Sequence, residues 1–554
     1  MLIIVQVFAF FWFIRTVKTV LFWIYLWQLK EYHIGRFLDH FRTEKGKKIF
    51  FNFLFLIKLF ILPLIFINFF IAFYVLLLIY ILEFLSLIKK NFKYPVWTKK
   101  TIFLTLFSLI FLIIYSQILK NLRIDYFIFE LLIFDILSPI IVSIVVLLFQ
   151  PLFVLARNII LKKAKEKISK HKNLIVIGIT GSYGKTSTKE FLTTILSLKF
   201  NALRSPSATG VAAKSLSILS TKNHQNSEIG IAECILNDLN NNHRVFVVEM
   251  GSYKKGGIKL LCDIVKPKIG IVTGVNEQHL SLFGSMENLL SAEGGRELLV
   301  SLPVNGVIVI NGDNKYCLDL YKSAEIKKRI YSLRNDKIDP DIWTEDITVE
   351  KEFLSFIAMN RQKEMVHFSV NVLGAQNAQN LLGAVVVAQE LGMSLEEISL
   401  ACKNIKPEQA GIALKDGVHG INIIDSSYSS NPDGVMADLD YLNIFSARKI
   451  VIMPCLIELG NKSAEIHGEI GKKIAEVCDM AIITTKDRFE EIKEGAGLAE
   501  PAKTNSGILQ NTRISFSDNP KEIFHTVTTF CKSSDAILLE GRVPSELIKL
   551  LVGK

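Results

Sequence analysis

The chain has 554 residues, half of them hydrophobic, so it exceeds one ordinary domain and can bury a large core. Its seven cysteines all fall after residue 200 without a C-x-x-C pair, which excludes a disulfide scaffold and argues against structural zinc; they read as reduced core residues. A net charge of +11 without a basic stripe of interleaved aromatics does not point to nucleic acid.

Up to about residue 156 the chain is dominated by Phe, Leu and Ile. Apolar runs at 2–27, 50–88, 102–119 and 133–155 compare with the roughly 20 residues that cross a bilayer core. The run 50–88 fits two short spans turning near Pro63 or Asn68, or one very long helix. Arg15 and Lys18 also allow the first run to be a tilted or interfacial helix. Its length, with no small-residue cleavage site after it, argues against a removed leader. Lys30, Arg36, Arg42, Lys45, Lys47 and Lys48 fill the first loop. Lys89, Lys90, Lys93, Lys99 and Lys100 fill a later one, and Arg157, Lys162, Lys163, Lys165 and Lys167 follow the last run. The loop at 120–125 is less basic. Positive loops stay in the cytoplasm, so five spans with the N-terminus outside satisfy the charges; four spans stay open. The expectation is a multi-pass membrane region, 1–156, embedded in lipid, then a basic linker, 157–173, with the rest cytoplasmic.

Leu174 to Ile179 reads as a buried strand and 188–198 as a helix. Between them lies Gly178-Ile-Thr-Gly181-Ser182-Tyr-Gly184-Lys185-Thr186-Ser187. Strand, glycine loop and helix form a phosphate cradle, because amide N–H groups at a helix start and the helix dipole both favour an anion. Gly181, Ser182, Gly184, Lys185, Thr186 and Ser187 are the expected nucleotide-binding residues. Lys185 is placed to reach the outer phosphates of ATP, and Thr186 to hold Mg²⁺. Ile179 stands where the strict G-x-x-x-x-G-K-[ST] spacing has its first glycine. The plainer alternative is a glycine-rich turn.

Further strands are expected at 244–250, 269–275, 306–310, 420–425, 449–453, 480–484 and 536–540, alternating with helical patterns. That alternation predicts an α/β fold with mostly parallel sheets. A boundary near Lys406-Pro407-Glu408 divides 174–407 from 408–554. Ligands in such folds bind beyond the strand carboxyl ends. Glu249 ends one strand and can face Thr186 across Mg²⁺. His279 follows the next strand. Glu293, on a helical stretch 286–299, offers a second carboxylate or is a solvated helix-face acid. Asp313, in Asn311-Gly-Asp313-Asn314, suits a base or ribose, or a turn. Asn377 and Asn380 share one helix face, where capping is the simpler role.

These pieces come in a characteristic order. Thr180-Gly-Ser-Tyr-Gly-Lys-Thr-Ser187 is followed by Val248-Glu-Met-Gly251, His279-Leu with Phe283-Gly-Ser, and Asn377-x-x-Asn380. Asp425-Ser-Ser-Tyr-Ser-Ser-Asn431-Pro432 and Leu459-Gly460 complete it. From 174 to 554 the chain resembles the Mur ligases, and among them the MurF branch that joins D-Ala-D-Ala to the peptidoglycan stem. The resemblance implies a P-loop central ATPase domain, 174–407, and a C-terminal Rossmann-like domain, 408–554. ATP phosphorylates a carboxylate, and an amine attacks the acyl phosphate to give an amide. It implies Lys185, Glu249, His279 and Asp425 as catalytic residues. Thr186, Glu249, His279 and Glu293 would hold Mg²⁺, with Asp313, Asn377 and Asn380 near the nucleotide. Tyr428 and Asn431 would join Asp425 as the C-terminal domain closes over the site.

Three departures stand out. Glu293 aligns with a lysine that the family modifies with CO₂. Gly411-Ile412 stands where the family has Gly-Arg, and Asp425-Ser426 where it has an acidic pair. The family's soluble domain for gripping the UDP-sugar has no counterpart ahead of the glycine loop, so the membrane region is expected to help hold a membrane-proximal acceptor. Three readings follow: a membrane-anchored ligase joining a peptidoglycan precursor to an amino acid or dipeptide, a ligase acting on another acid such as poly-γ-glutamate, and a non-catalytic nucleotide-binding scaffold.

Overall fold

The computed structural model describes residues 2–50, 53–89, 92–119, 121–202, 218–222, 225–336, 338–428, 430–497 and 512–553. Lys90 and Lys120 of the charge argument, and Ser429 of the Asp425–Pro432 segment, lie outside them. Residues 1–159 form one unit and residues 160–554 another.

Length and apolarity set the first unit. It contains α1 (Leu2–Leu29), α2 (Ile34–His40), α3 (Glu44–Phe50), α4 (Phe53–Ile67), α5 (Phe69–Lys89) and α6 (Lys99–Leu119). Helix α7 (Ile124–Ser169) follows and ends in the second unit. Among the described residues five helical segments are long and apolar enough to cross a membrane, in α1, within 46–67, in α5, in α6 and in α7. The run 50–88 is two helices, not one. The break falls at Asn68, whose side chain accepts from Ile71 N at 3.2 Å and caps α5, while Pro63 stays inside α4.

The first unit also buries charge. Lys58 Nζ donates to Asp135 Oδ2 at 2.7 Å and to Glu83 Oε2 at 2.9 Å. Arg15 Nε lies 2.9 Å from Glu83 Oε2, and Tyr80 OH donates to Asp135 Oδ2 at 3.2 Å. The cations and carboxylates balance, which is how ionised groups are tolerated among apolar helices. Trp12 and Trp27 bury their rings and satisfy their N–H groups on Leu131 O and Ser143 Oγ, at 2.7 and 3.0 Å.

The second unit is two sheets. The nine-stranded sheet has the order β2-β3-β1-β4-β5-β6-β7-β8-β9. Its strands are β1 (Ile175–Thr180), β2 (Ile218–Ser220), β3 (Val245–Glu249), β4 (Ile269–Val272), β5 (Val307–Asn311), β6 (Lys327–Tyr331), β7 (Ile342–Val349), β8 (Leu354–Asn360) and β9 (Met365–Val370). Pairing is parallel from β2 through β7 and antiparallel for β7–β8 and β8–β9. Strands β1, β3, β4 and β5 are continuous apolar runs buried on both faces, as parallel strands require. The sequence reading missed β2, β6 and the antiparallel ribbon. Strand β6 reads Lys-Lys-Arg-Ile-Tyr and β7 and β9 intersperse polar with apolar residues, so they lack the apolar run that marked the others, and the short run 356–359 of β8 was passed over. Strand β4 stops at Val272 rather than 275, where the chain turns into the site. Helix α8 (Lys185–Ala202) follows the glycine loop. Leu161, Ala164 and Ile168, at the end of α7, pack in the same core as Ile231, Ile235 and Phe246.

The six-stranded sheet has the order β10-β11-β15-β12-β13-β14. These are β10 (Ala413–Asp416), β11 (Asn422–Ser426), β12 (Lys449–Met453), β13 (Met480–Ile483), β14 (Arg513–Phe516) and β15 (Ala536–Glu540). Only β10 runs antiparallel. All seven cysteines are free and buried, as expected of core residues.

The carboxyl ends of β11 and β15 bury an acid pair that the sequence reading overlooked. Ser426 and Glu540 are register partners, and the Ser426 hydroxyl donates to Asp438 Oδ2. Gln376 Nε2 donates to Asp438 Oδ1 at 3.0 Å. Burial pushes the Glu540 carboxyl well up, and Asp438 beside it adds to the rise. A carboxyl raised on folding contributes stability that is complete below the unfolded value of about 4.3 and is lost as pH rises through the folded value. Glu540→Gln therefore removes a loss that the parent suffers between pH 5 and pH 8. Thermal unfolding of the full chain in detergent should show the variant ahead at pH 8 by at least about 2 °C and level with the parent at pH 5. Equal pH slopes would refute the raised Glu540 carboxyl.

Candidate active site

Parallel pairing collects the site. Strand β1 lies between β3 and β4, with Ile179 opposite Glu249 and Thr180 opposite Val272. The glycine loop, Glu249 and the segment after β4 therefore emerge side by side at one sheet edge. The loop is held by Thr273, whose hydroxyl donates to Thr180 O at 3.1 Å and to Tyr183 O, and by Ser182 N donating to Gly274 O at 2.7 Å. Gly181 has φ +140, and a Cβ there would sit 2.2 Å from Thr273 Oγ1. Gly184 has φ +75, and a Cβ there would sit 2.3 Å from Asn380 Oδ1. Both positions demand glycine.

Lys185 folds back on its own loop, donating to Gly181 O and to Ser182 O, the latter at 3.3 Å. It starts α8, where amide N–H groups lack helical partners. Thr186 Oγ1 lies 3.1 and 3.0 Å from the two Glu249 oxygens, so the expected pair meets. Asn226 Nδ2 adds a bond to Glu249 Oε1 at 3.1 Å. Lys189 is fully buried, bonds Thr221 O at 2.8 Å and stands 3.8 Å from Glu249. Neither Asn226 nor Lys189 belonged to a recognisable motif, although Lys189, four residues after Lys185, lies one turn further along the same helix. Ser187 turns away from the loop and donates to Ala410 O at 3.2 Å.

Glu293 is not on a helical stretch to 299 and is not solvated. Its helix, Met286–Ala292, stops at it, and Gly295 with φ +84 opens the next, Arg296–Ser301. The Glu293 side chain is buried, accepting from Ser182 Oγ at 2.9 Å and lying 3.2 Å from His279 Nδ1. Burial alone would push its carboxyl up, but His279, Lys185 and the Ser182 hydroxyl outweigh burial and hold it below the usual carboxylate range. His279 itself has φ +67 and packs edge-on to Tyr253 at 5.2 Å. Its Nε2 lies 3.6 Å from Glu458 Oε2, a residue absent from the sequence-based set although it directly precedes Leu459-Gly460.

Asp313 accepts from Ser332 Oγ at 2.6 Å, Leu333 N at 2.9 Å and Gln379 Nε2 at 2.8 Å. It borders a cleft of about 220 Å³ lined also by Gly312, Lys315, Ser332 and Arg334. Asn377 and Asn380 do not cap their helix, Gln376–Glu390, whose N-cap is Ala375 without a side-chain bond. Asn377 is fully buried, bonds Leu373 O at 2.7 Å and fixes Asn380 at 3.1 Å, and Asn380 meets Gly184.

Of the residues after 408, Asn431 and Asp433 reach the segment after β4, whereas Asp425 is tied to Lys415 and Ser427 beside its own strand. Asn276 Nδ2 donates to Asn431 Oδ1 at 3.0 Å and to Asp433 Oδ2 at 2.6 Å. Asp425 pairs with Lys415 at 2.5 Å and accepts from Ser427 N at 3.1 Å. Burial works against its charge, yet Lys415 and Ser427 hold its carboxyl below the usual range. Tyr428 is half exposed, and burial with the Glu249 charge raises its phenol against a smaller opposing effect from Arg542. Ile412 is buried in the core, so no cation takes that position, and the Ser426 hydroxyl donates to the buried Asp438.

Hydroxyl and carboxylate oxygens at Thr186 and Glu249 suit Mg²⁺, which favours hard oxygen ligands. Among the described residues no three His, Cys, Asp or Glu side chains converge on a metal-ready point. Substrate oxygens and water would complete the sphere, as Mg²⁺ permits.

Comparison with known proteins agrees with this geometry. Residues 179–388 match the family model for the Mur ligase middle domain, and 412–543 that for the Mur ligase, glutamate ligase domain. A UDP-N-acetylmuramoyl-tripeptide--D-alanyl-D-alanine ligase of Synechocystis is 26% identical over 384 residues, covering 67% of this chain and 74% of that protein. Its counterpart from Haemophilus influenzae is 27% identical over 313 residues, 56% of this chain and 63% of that protein. The fold is similar to the crystal structure of MurF from Acinetobacter baumannii, with a TM-score of 0.60 at 20% identity over 72% of this chain and 81% of that one. MurF from Thermotoga maritima in complex with ADP gives 0.56 at 22% identity over 71% and 83%.

Proposed function

Because the chain belongs to the Mur ligase family, we propose that it is a membrane-anchored, ATP-dependent carbon–nitrogen ligase of peptidoglycan precursor synthesis. The observation that carries the proposal is the meeting of Thr186 and Glu249 at 3.0 to 3.1 Å beside the Lys185 loop. In this reading 174–407 is the P-loop ATPase domain and 408–554 the Rossmann-like domain, with the five apolar helices as a multi-pass anchor and the catalytic part in the cytoplasm.

The loop amides and Lys185 hold the terminal phosphates; Lys185 leaves the carbonyls of Gly181 and Ser182 to do so. Mg²⁺, when bound, neutralises charge on the moving phosphoryl group. Thr186 and Glu249 would hold it, with His279 and Glu293 offering a second position near the acyl acceptor. A substrate carboxylate takes the γ-phosphoryl group, ADP leaves, and an amine such as that of D-Ala-D-Ala displaces phosphate from the acyl phosphate to form the amide. Asn276 fastens to Asn431 and Asp433, which joins the two parts at their seam. Asp313 and the cleft beside it suit the nucleoside end. The missing arginine at Ile412 does not remove the phosphate grip, since Lys185 and the loop amides are intact.

Phosphate release by the detergent-purified chain, with ATP, Mg²⁺, D-Ala-D-Ala and UDP-MurNAc-tripeptide, is the direct test, with product mass read in parallel. Release that depends on both co-substrates, with a new amide, is expected. ATP binding without release would favour the scaffold reading.

A further inference from the structure

A line of polar contacts runs from the phosphate loop to the far side of the seam. Ser182 Oγ donates to Glu293 Oε2 at 2.9 Å, Glu293 Oε1 lies 3.2 Å from His279 Nδ1, and His279 Nε2 lies 3.6 Å from Glu458 Oε2. The backbone closes the line, because Ser281 N donates to Glu458 O at 3.1 Å. Both ring nitrogens of His279 thus face carboxylates, one on each side of the seam.

Glu458 is held there at a conformational cost. It has φ +69, in the left-handed region that a non-glycine residue keeps only where its surroundings over-determine it. Those surroundings are present. In the turn after β12, Leu456 N donates to Nε2 of the fully buried His467 at 2.9 Å. Cys455 N donates to Thr485 Oγ1 at 2.8 Å, and Leu459 is buried. The turn is pinned before and after Glu458, so the side chain is delivered to His279 by a rigid element.

We propose that Glu458 is a positioning residue through which the 408–554 part clamps His279 and senses the state of the phosphate loop. The proposal rests on the ligase reading for the meaning of that loop. Ser182 is the joint. Lys185 bonds its carbonyl, while its hydroxyl begins the line to Glu458. A phosphate that draws Lys185 off Ser182 therefore acts on the residue that orients Glu293, then His279, then Glu458. Coupling of this kind needs a contiguous set of packed polar groups with two arrangements, and this line supplies the groups.

Hydrogen exchange of the full-length chain in detergent, with and without ADP and Mg²⁺, tests the coupling without relying on turnover. In the parent, nucleotide should slow exchange at 279–283 and 456–460. Glu458→Ala should bind ADP within about two-fold of the parent, lose that slowing, and lose roughly ten-fold in kcat with KM for ATP unchanged. Glu458→Gln, which keeps the side-chain volume, should behave like the alanine variant. If both variants keep the slowing and a kcat within about two-fold, Glu458 merely fills space and the proposal falls. A parent that binds ADP but forms no amide overturns the ligase reading, while the exchange result still decides the coupling. A parent that does not bind ADP overturns both.

Discussion

Lys185→Ala should abolish ATP-dependent amide formation while leaving the chain folded. The side chain hydrogen-bonds carbonyls of its own loop, Gly181 O and Ser182 O, so its removal deletes no long-range hydrogen bond, and Glu293, which also feels its charge, keeps His279 and Ser182. Its charge is the one that the glycine loop aims at the terminal phosphates. Losing a preorganised donor of this type costs about 10²- to 10³-fold in kcat. Lys185→Arg should rescue little, because a planar fork does not replace a compact ammonium against a tight loop. Phosphate release and product mass measure the loss, and an unchanged unfolding temperature shows that the fold survives. Activity within ten-fold of the parent would place the phosphate grip elsewhere.

Lys58→Ala should be the most damaging single change in the first unit. Lys58 Nζ bridges Asp135 at 2.7 Å and Glu83 at 2.9 Å, and the side chain is almost fully buried. Without it two carboxylates face each other, with Arg15 left to answer both. Removing one partner from a buried ion pair costs about 3–5 kcal/mol, because the remaining charge is uncompensated. The double change Lys58→Met and Asp135→Asn should cost much less, since it removes one charge of each sign and leaves Glu83 paired with Arg15. Thermal unfolding in detergent separates the two. If the single and double variants lose equal stability, packing rather than charge explains the loss.

Local chemistry was legible from the residues alone. The apolar runs gave the helices of the first unit because bilayer-crossing length is a property of consecutive residues. The break at Asn68 was one of two places marked for it, and the side chain that can cap a helix won over Pro63, which an apolar helix absorbed. The glycine loop was legible because φ and amide direction depend on a few adjacent residues. Strands buried on both faces announced themselves as apolar runs. The basic strand β6 and the mixed strands β7 and β9 did not, because many of their side chains are only partly buried or face solvent.

What the sequence determined by itself was therefore the family, the phosphate loop and the apolar helices, each of them written in short range or in the order of motifs. The tertiary structure alone decided which groups meet. Glu293 stood open between a second site carboxylate and a solvated helix-face acid, and the glycine break after Ala292 is what sets it against Ser182 and His279. Lys58 and Glu83 stood in one apolar run, Asp135 in another and Arg15 in a third, and only the folding together of α1, α4, α5 and α7 made them a neutral cluster. Glu458 reached His279 across the seam because β12 lies where the six-stranded sheet's order puts it. Contacts between residues so far apart depend on strand order and helix packing, and no local spacing encodes them.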